Sequence, residues 1–284
     1  MTLDHSALIL EGGGFRGVYT SGVLRLFMDK GLYLPYVIGV SMGACNAANY
    51  VSHQPGRNRI VNIRYVNDSR YISYLRLFTK GELFGMTFIF DALPHRLVPF
   101  DYNTFRASDQ KCVFSVTDCE TGEALYFEKN EVGEDCLKVL QASVSLPFVT
   151  KPVPFKGRIL MDGGISDSVP IRKSIKDGNT KNILVLTRPK GYRKKPSHLI
   201  TLARIIYPKY KGLGRAIARR HTRYNETMDF IDRLEAHDDV FVIRPRSDLG
   251  VGRIERDKDK LYAVYDQGYG DASKAYPALC AYLE

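Results

Sequence analysis

The stretch Val37-Ile38-Gly39-Val40-Ser41-Met42-Gly43-Ala44 constrains this chain more than any other. Its G-x-S-x-G pattern follows an apolar, β-branched lead-in and precedes a run of small residues from Ala44 to Ala48 that suits a helix. In a strand–turn–helix context the serine is forced onto a sharp turn with its hydroxyl facing out. Gly39 and Gly43 flank the turn where a Cβ would collide with neighbouring backbone. Helix N-terminal amides behind Ser41 put positive potential where an alkoxide or oxyanion would form. The bland alternative is a tight turn in which serine is merely small and polar. The rest of the chain has to decide between them.

With 284 residues, 44% of them hydrophobic, the chain can form one large α/β domain or two modest ones. No apolar run approaches the ~20 residues of a membrane span. Asp4 and His5 ahead of the short run Ala7–Leu10 speak against a signal peptide. Cysteines 45, 112, 119, 136 and 280 are scattered, with no C-x-x-C pair, and read as reduced thiols of a cytosolic protein rather than a disulfide frame or metal site. The net charge of +10 is uneven, because residues 178–225 carry lysine and arginine but no Asp or Glu. Such a basic face on a mildly acidic body suggests an anionic partner surface.

Ala7-Leu8-Ile9-Leu10 reads as a buried parallel strand. It runs into Glu11-Gly12-Gly13-Gly14-Phe15-Arg16-Gly17 and then a helical pattern that stops at Lys30-Gly31. Strand, glycine loop and helix N-terminus form an anion-binding cradle. Gly12-x-Gly14-x-x-Gly17 is also the dinucleotide fingerprint. A Rossmann unit, however, needs an acid at the end of its second strand, where this chain has Ser41, and Glu11 would repel a pyrophosphate. An oxyanion hole for Ser41 is the more economical reading, since the first two strands of a parallel sheet can lie side by side.

Helical patterns cover about 57–66 and 69–79, followed by Leu83 to Leu93. The stretch from Tyr65 to Phe105 is dense in Phe and Tyr, including Phe84, Phe88 and Phe90. It is either the helical layer over one sheet face, the preferred reading, or an apolar wall for an acyl chain. Lys111–Thr117 and Ala124–Glu128 read as a hairpin, and Glu134–Ser143 as a helix ending before Pro147. Arg158-Ile159-Leu160-Met161 is a strand whose tip delivers Asp162-Gly163-Gly164, where active-site groups of open parallel sheets collect. An aspartate there can equally cap the next helix or make an Asx turn.

Val169–Lys176 reads as a short helix and Asn182–Thr187 as a buried strand. In the basic region Ser197 could cap a helix from Leu199 to Tyr207, and a longer helix covers Gly212 to Leu234. Val240–Ile243 is a last strand and Asp257–Leu283 a helix. The strand after the basic region implies that residues 188–284, a basic and mainly helical part, complete the sheet of a core spanning 6–187.

These motifs together resemble the bacterial patatin-like phospholipases over about Ala7 to Thr187. Gly12 to Gly17 match that family's oxyanion loop, Gly39 to Gly43 its nucleophile elbow, and Asp162-Gly163-Gly164 its aspartate block. Ala142-Ser143 with Pro147 resembles its A-S-x-x-x-P segment beside the site. The C-terminal third resembles only the tails of bacterial members. The resemblance implies a three-layer α/β/α fold with a mostly parallel sheet, and a Ser41–Asp162 dyad without histidine.

In that chemistry Ser41 attacks an ester carbonyl, and Asp162 takes its proton and later activates water. Backbone N–H groups of Gly12, Gly13, Gly14 and Phe15 would stabilise the oxyanion. Arg16 is expected to fix the loop, and Gly17, Gly39, Gly43, Gly163 and Gly164 to support the motifs. Two rivals remain. One is a Ser41–Asp162–His triad of the α/β-hydrolase kind, with His198, His221 or His237. The other is a non-catalytic basic protein gripping nucleic acid or membrane, with tyrosines interleaved among the cations. No recognisable nucleic-acid module surrounds those tyrosines, so no nucleic acid is expected, nor any metal or other cofactor. The expected partners are a lipid or ester substrate and, through residues 188–223, the anionic inner face of a membrane. The sequence leaves oligomeric state, head group and acyl length open.

Overall fold

The computed structural model describes residues 3–284. Eight strands form one sheet: β1 (Ser6–Leu10), β2 (Tyr36–Val40), β3 (Lys111–Asp118), β4 (Ala124–Glu128), β5 (Val153–Phe155), β6 (Arg158–Asp162), β7 (Lys181–Val185) and β8 (Val240–Ile243). β3, β2, β1, β7 and β8 pair in parallel, with Leu10 opposite Gly39 and Val185 opposite Ile243. β4 and β6 run antiparallel to β3, and β5 antiparallel to β6. Every residue of β1 and β2 is buried, as unbroken apolar runs require of strands covered on both faces.

Side chains alternate across the sheet with the strand period of two. Leu8 and Leu10 face a layer with α1 (Gly17–Asp29), α2 (Met42–Val51) and the C-terminal helix Lys258–Leu283. Ala7 and Ile9 face the opposite layer, where Ile171 of one helix and Tyr224, Met228 and Ile231 of the helix Lys211–Ala236 pack. This is the expected three-layer α/β/α arrangement around a mostly parallel sheet. Residues beyond 187 supply β8 and a covering helix on each face.

One detail of register positions the site. β4 occupies one edge of β3 over Val113–Thr117, so β2 and β6 must share the other edge end to end. β2 stops with Val40 opposite Ser115, and β6 stops with Asp162 opposite Val116. The two strands therefore terminate at adjacent positions of β3, and the residues they deliver, Ser41 and Asp162, meet there.

Several boundaries differ from the sequence-based expectation. The pattern over 69–79 yields a helix only at Tyr74–Lys80, because Ser73 accepts the Arg76 N–H and starts it, and Gly81 ends it in a left-handed conformation. The expected cap at Ser197 is not made. Its hydroxyl accepts from Leu199 N at 3.2 Å, while the helix begins at Ile200 without a side-chain cap.

α1 and the C-terminal helix approach until their backbones touch. A Cβ on Gly268 would run into the Tyr19 carbonyl oxygen, whereas one on Gly270 meets nothing within 4 Å. Gly268→Ala should therefore lower the denaturation midpoint at unchanged m, by about 1–3 kcal/mol of overpacking. Gly270→Ala on the same helix should instead gain up to about 1 kcal/mol of helix propensity. Urea titration of both variants checks the contrast.

Candidate active site

Ser41 sits between β2 and α2 at φ 57°, ψ −127°, a positive φ that a side-chain-bearing residue adopts only under constraint. Such strain costs on the order of 1–3 kcal/mol and persists where the surroundings over-determine it. Here the turn is pinned by close backbone contact between Gly39 and Gly43, where neither position has room for a Cβ. It is also pinned by a hydrogen bond from the Ser41 N–H to Ser143 Oγ at 2.9 Å. The Ser143 hydroxyl in turn donates to the Ser115 carbonyl at 2.7 Å.

Asp162 is held by the same short segment. Its N–H donates to the Ser145 carbonyl at 2.9 Å, and its own carbonyl accepts from Thr117 Oγ1 at 2.8 Å. Carboxylate Oδ1 accepts from Gly164 N at 2.7 Å, so Asp162 does cap the following turn. Oδ2 is buried with no partner. The Ser41 hydroxyl faces this carboxylate and favours its ionised form, but the contact is looser than a full hydrogen bond, as is common in unliganded sites. Burial nonetheless raises the Asp162 carboxyl above its ordinary range, outweighing Ser41, Arg220, the Gly164 amide and Arg253, which all act the other way.

The glycine loop lies against the same turn, with no room for a Cβ on Gly12 between Val40 O and Ser41 Cβ. Its four amides are not equivalent. Phe15 N donates to the Arg253 carbonyl at 3.2 Å and Gly12 N, weakly, to the Ser168 carbonyl at 3.5 Å. Gly13 and Gly14 have N–H groups without an acceptor among the described residues. Of the four amides expected to serve as oxyanion donors, those of Gly13 and Gly14 are thus without an acceptor, whereas that of Phe15 anchors the loop to the C-terminal region. Arg16, expected to fix the loop, makes no side-chain hydrogen bond to it among the described residues; its guanidinium lines a cavity, with Nε buried and unpartnered. Gly17 packs against Met42 and its carbonyl accepts from Asn46 Nδ2 at 2.8 Å, while Gly163 packs on the Ser115 carbonyl.

Two cavities meet at Ser41, sharing it with Gly14, Leu146 and Arg253. The first is apolar, about 100 Å³, with walls that include Phe84, Met86, Ile89, Phe90, Phe100 and Leu140. The aromatic-rich stretch expected chiefly to cover the sheet therefore also builds this wall. Cys45 lines it as well, its thiol pushed up to about 12 by burial and hence protonated. The second cavity, about 170 Å³, is polar and holds Glu11, Asp162 and the cations Arg16, Arg188, Lys194, Arg220 and Arg253. No histidine lines either cavity among the described residues, and His198 and His237 are exposed. Sequence reasoning missed Ser143 as a tether. It also missed Lys194 and Arg220, whose chain positions suggested an outer surface. Nothing local signals those inward orientations.

Residues 8–174 match the patatin-like phospholipase family over more than half of the chain. The chain belongs to that family. Residues 210–284 match a second family described as a domain of unknown function, DUF6363. The patatin-like chain is 28% identical over 250 residues to the uncharacterized protein YjjU of Escherichia coli K12, covering 86% of this chain and 69% of that one. It is 25% identical to the probable lipid hydrolase 463L of invertebrate iridescent virus 6, over 73% of this chain and 72% of the relative. Among solved structures, VipD from Legionella pneumophila superposes with a TM-score of 0.51 at 12% identity, over 97% of this chain and 67% of that one, a likeness of fold. Family and relatives support lipid acyl hydrolase activity.

Ser143→Ala leaves the buried Ser41 N–H without its acceptor, a loss of about 1–3 kcal/mol at the turn. Ester hydrolysis should then lose kcat by roughly tenfold or more with KM little changed. Ser143→Thr, which keeps the hydroxyl, should recover part of it.

Proposed function

We propose that this protein is a serine lipid acyl hydrolase that works through a Ser41–Asp162 dyad. The observation that carries the reading is a strained serine beside a buried, half-satisfied carboxylate, at the junction of an apolar and a polar cavity. The acyl chain lies in the apolar cavity, bringing the ester carbonyl to Ser41. Ser41 Oγ attacks as its proton passes to Asp162, whose raised basicity suits that task better than an exposed carboxylate's would. The N–H groups of Gly13 and Gly14, aided by the N-terminus of α2, take the charge that develops on the carbonyl oxygen, each donor contributing about 3 kcal/mol. The proton goes from Asp162 to the departing alcohol, and Asp162 then activates water to release the fatty acid.

The reading extends to a membrane contact. Two helices expose apolar side chains: Tyr74–Lys80, with Leu75 73% and Phe78 86% exposed, and Ile200–Ile206, with Ile205 69% exposed. Both attach to the segment Leu146–Val149. Phe148 N donates to Tyr207 Oη at 2.9 Å, and Leu83 N to the Val149 carbonyl at 2.8 Å. Leu146 lines both cavities, so the exposed apolar helices flank the route to Ser41. Of the cations in 188–223, Arg188, Lys190, Arg193 and Arg223 are in ion pairs, whereas Lys195, Arg204, Lys209, Lys211, Arg215 and Arg219 are exposed. The second group is available to anionic lipid, at about 1 kcal/mol per cation near the surface.

A fluorophosphonate probe should label Ser41, and Ser41→Ala should lose both labelling and turnover. Labelling elsewhere, or normal turnover by the variant, would overturn the dyad. Asp162→Asn should end turnover while raising Tm at pH 7. The folded carboxyl titrates above the unfolded one, so its ionised form is the costlier one to bury, and stability is lost as pH rises from the unfolded value through the folded one. For the same reason the acid limb of the kcat/KM profile should lie above the range of an exposed carboxylate.

Sedimentation with anionic vesicles should recover the protein in a salt-sensitive manner, less so after Phe78→Asp or Ile205→Asp. Equal recovery with neutral vesicles would contradict the membrane reading.

A further inference from the structure

The polar cavity beside Ser41 holds more positive charge than the chain neutralises. Five cationic side chains reach it from separate parts of the sequence: Arg16 from the glycine loop, Arg188 and Lys194 after β7, Arg220 from the long basic helix and Arg253 from the loop after β8. They face only two carboxylates, of which Glu11 is fully engaged and Asp162 half so. Glu11 accepts from Thr187 N at 2.6 Å, Thr187 Oγ1 at 3.0 Å and Tyr224 Oη at 3.1 Å. Asp162 accepts from Gly164 and faces Ser41. Of these five, only Arg188 forms an ion pair with a described residue, Asp248. Lys194 Nζ donates to Ser168 Oγ at 3.1 Å and lies 3.5 Å from the Tyr224 ring centre, while Arg220 Nε donates to the Gly164 carbonyl at 2.6 Å. Arg16, only 7% exposed, turns an unpartnered Nε into the pocket.

Buried cations that outnumber their counter-charges are costly, and these repel one another. Burial, together with neighbouring arginines, brings the Arg16 and Arg220 guanidinium groups down to about 10 and lowers Lys194 well below the usual lysine value. A ligand dianion would offset both penalties at once. Phosphate is the group that a fork of guanidinium donors recognises best. A phosphate monoester, near −2 at neutral pH with three free oxygens, satisfies more of these donors than a diester does.

We propose that the polar cavity receives the phosphate monoester of an acylated glycerol phosphate, with the fatty chain in the apolar cavity and the ester carbonyl at Ser41. This rests on the hydrolase reading above and names its substrate class. The bond from Ser41 Oγ to the acyl carbon forms, the ester carbon–oxygen bond breaks, and the Ser41 proton passes through Asp162 to the glycerol oxygen. Glycerol phosphate departs from the cationic pocket and water releases the fatty acid. A quaternary ammonium head group is disfavoured there, because five cationic side chains line the pocket against two carboxylates.

The test compares kcat/KM for lysophosphatidate, lysophosphatidylcholine and monoacylglycerol of one chain length, alongside calorimetric titration with inorganic phosphate. The lysophosphatidate should be preferred over the choline lipid by about tenfold or more, the order that charge-assisted hydrogen bonds give. Phosphate should bind and compete. Lys194→Met and Arg253→Gln should each erode the preference ratio, and Arg253, being exposed, can be replaced without threatening the fold. Hydrolysis of all three lipids with equal efficiency and no phosphate binding overturns the proposal and leaves the hydrolase reading standing. Phosphate binding without lysophosphatidate preference assigns the pocket to free phosphate and overturns the head-group assignment. Phosphate binding with no hydrolysis of any ester overturns the hydrolase reading, and with it the substrate assignment.

Discussion

The site depends on two strands ending against one edge of a third. β2 and β6 cannot continue past each other along β3, so their last residues must face, and the polar backbone exposed where both stop needs partners. The turn Ser143–Ser145 supplies them: one hydroxyl and one carbonyl tie the N–H groups of Ser41 and Asp162, and the same hydroxyl reaches back to β3 through Ser115. The strained φ of Ser41 is tolerable because glycine contacts and this tether leave the backbone no lower-energy alternative.

Electrostatics at that junction are a contest in which burial wins. Four influences favour an ionised Asp162, yet the carboxyl still titrates above its ordinary range. The nearby cations do not reverse the outcome because none comes within ion-pairing range of the carboxylate among the described residues, and Arg220 spends its Nε on the Gly164 carbonyl. A tight Arg220–Asp162 pair would have made a stable but feebly basic carboxylate. Keeping the guanidinium on the carbonyl of Gly164, two residues on, steadies the Asp162 loop without cancelling the carboxylate's raised basicity, so stability is traded for proton affinity at the position the proposed chemistry uses.

What was legible in the sequence is what is local. The glycines around Ser41, the loop after β1 and the strand tip at Asp162 each declare a backbone geometry within six residues, and their order along the chain matched one family's pattern. The sheet was legible too, since strands covered on both faces must be written as unbroken apolar runs. The misreadings share a physical cause: they concern side chains whose partners lie far along the chain. Phe15 N was counted as an oxyanion donor because nothing nearby reveals that Arg253, more than two hundred residues later, claims it. Arg16 reads as loop-fixing because its side chain need not reach the oxyanion, and nothing nearby reveals the cavity that it lines. Residues 188–223 read as one basic surface, but helical periodicity sends Arg220 inward and Arg215 and Arg219 outward, and composition cannot distinguish the two.

The inward group changes how the C-terminal third relates to the catalytic core. A region that merely extended the sheet through β8 could be exchanged without touching the chemistry. This one contributes Tyr224 to the Glu11 carboxylate, Arg220 to the Asp162 loop, and the Arg253 carbonyl to the glycine loop. Each of the three motifs legible in the N-terminal part is thus reached, directly or through one neighbour, by a residue beyond 187: the glycine loop through Phe15, the aspartate turn through Gly164, and the serine through the cavity that Arg253 shares with it. The core carries Ser41 and Asp162, but four of the five cations around them come from outside it. Under the proposed dyad, substitutions in this third of the chain would alter which head group reaches Ser41 while leaving Ser41, Asp162 and their shared strand edge unchanged.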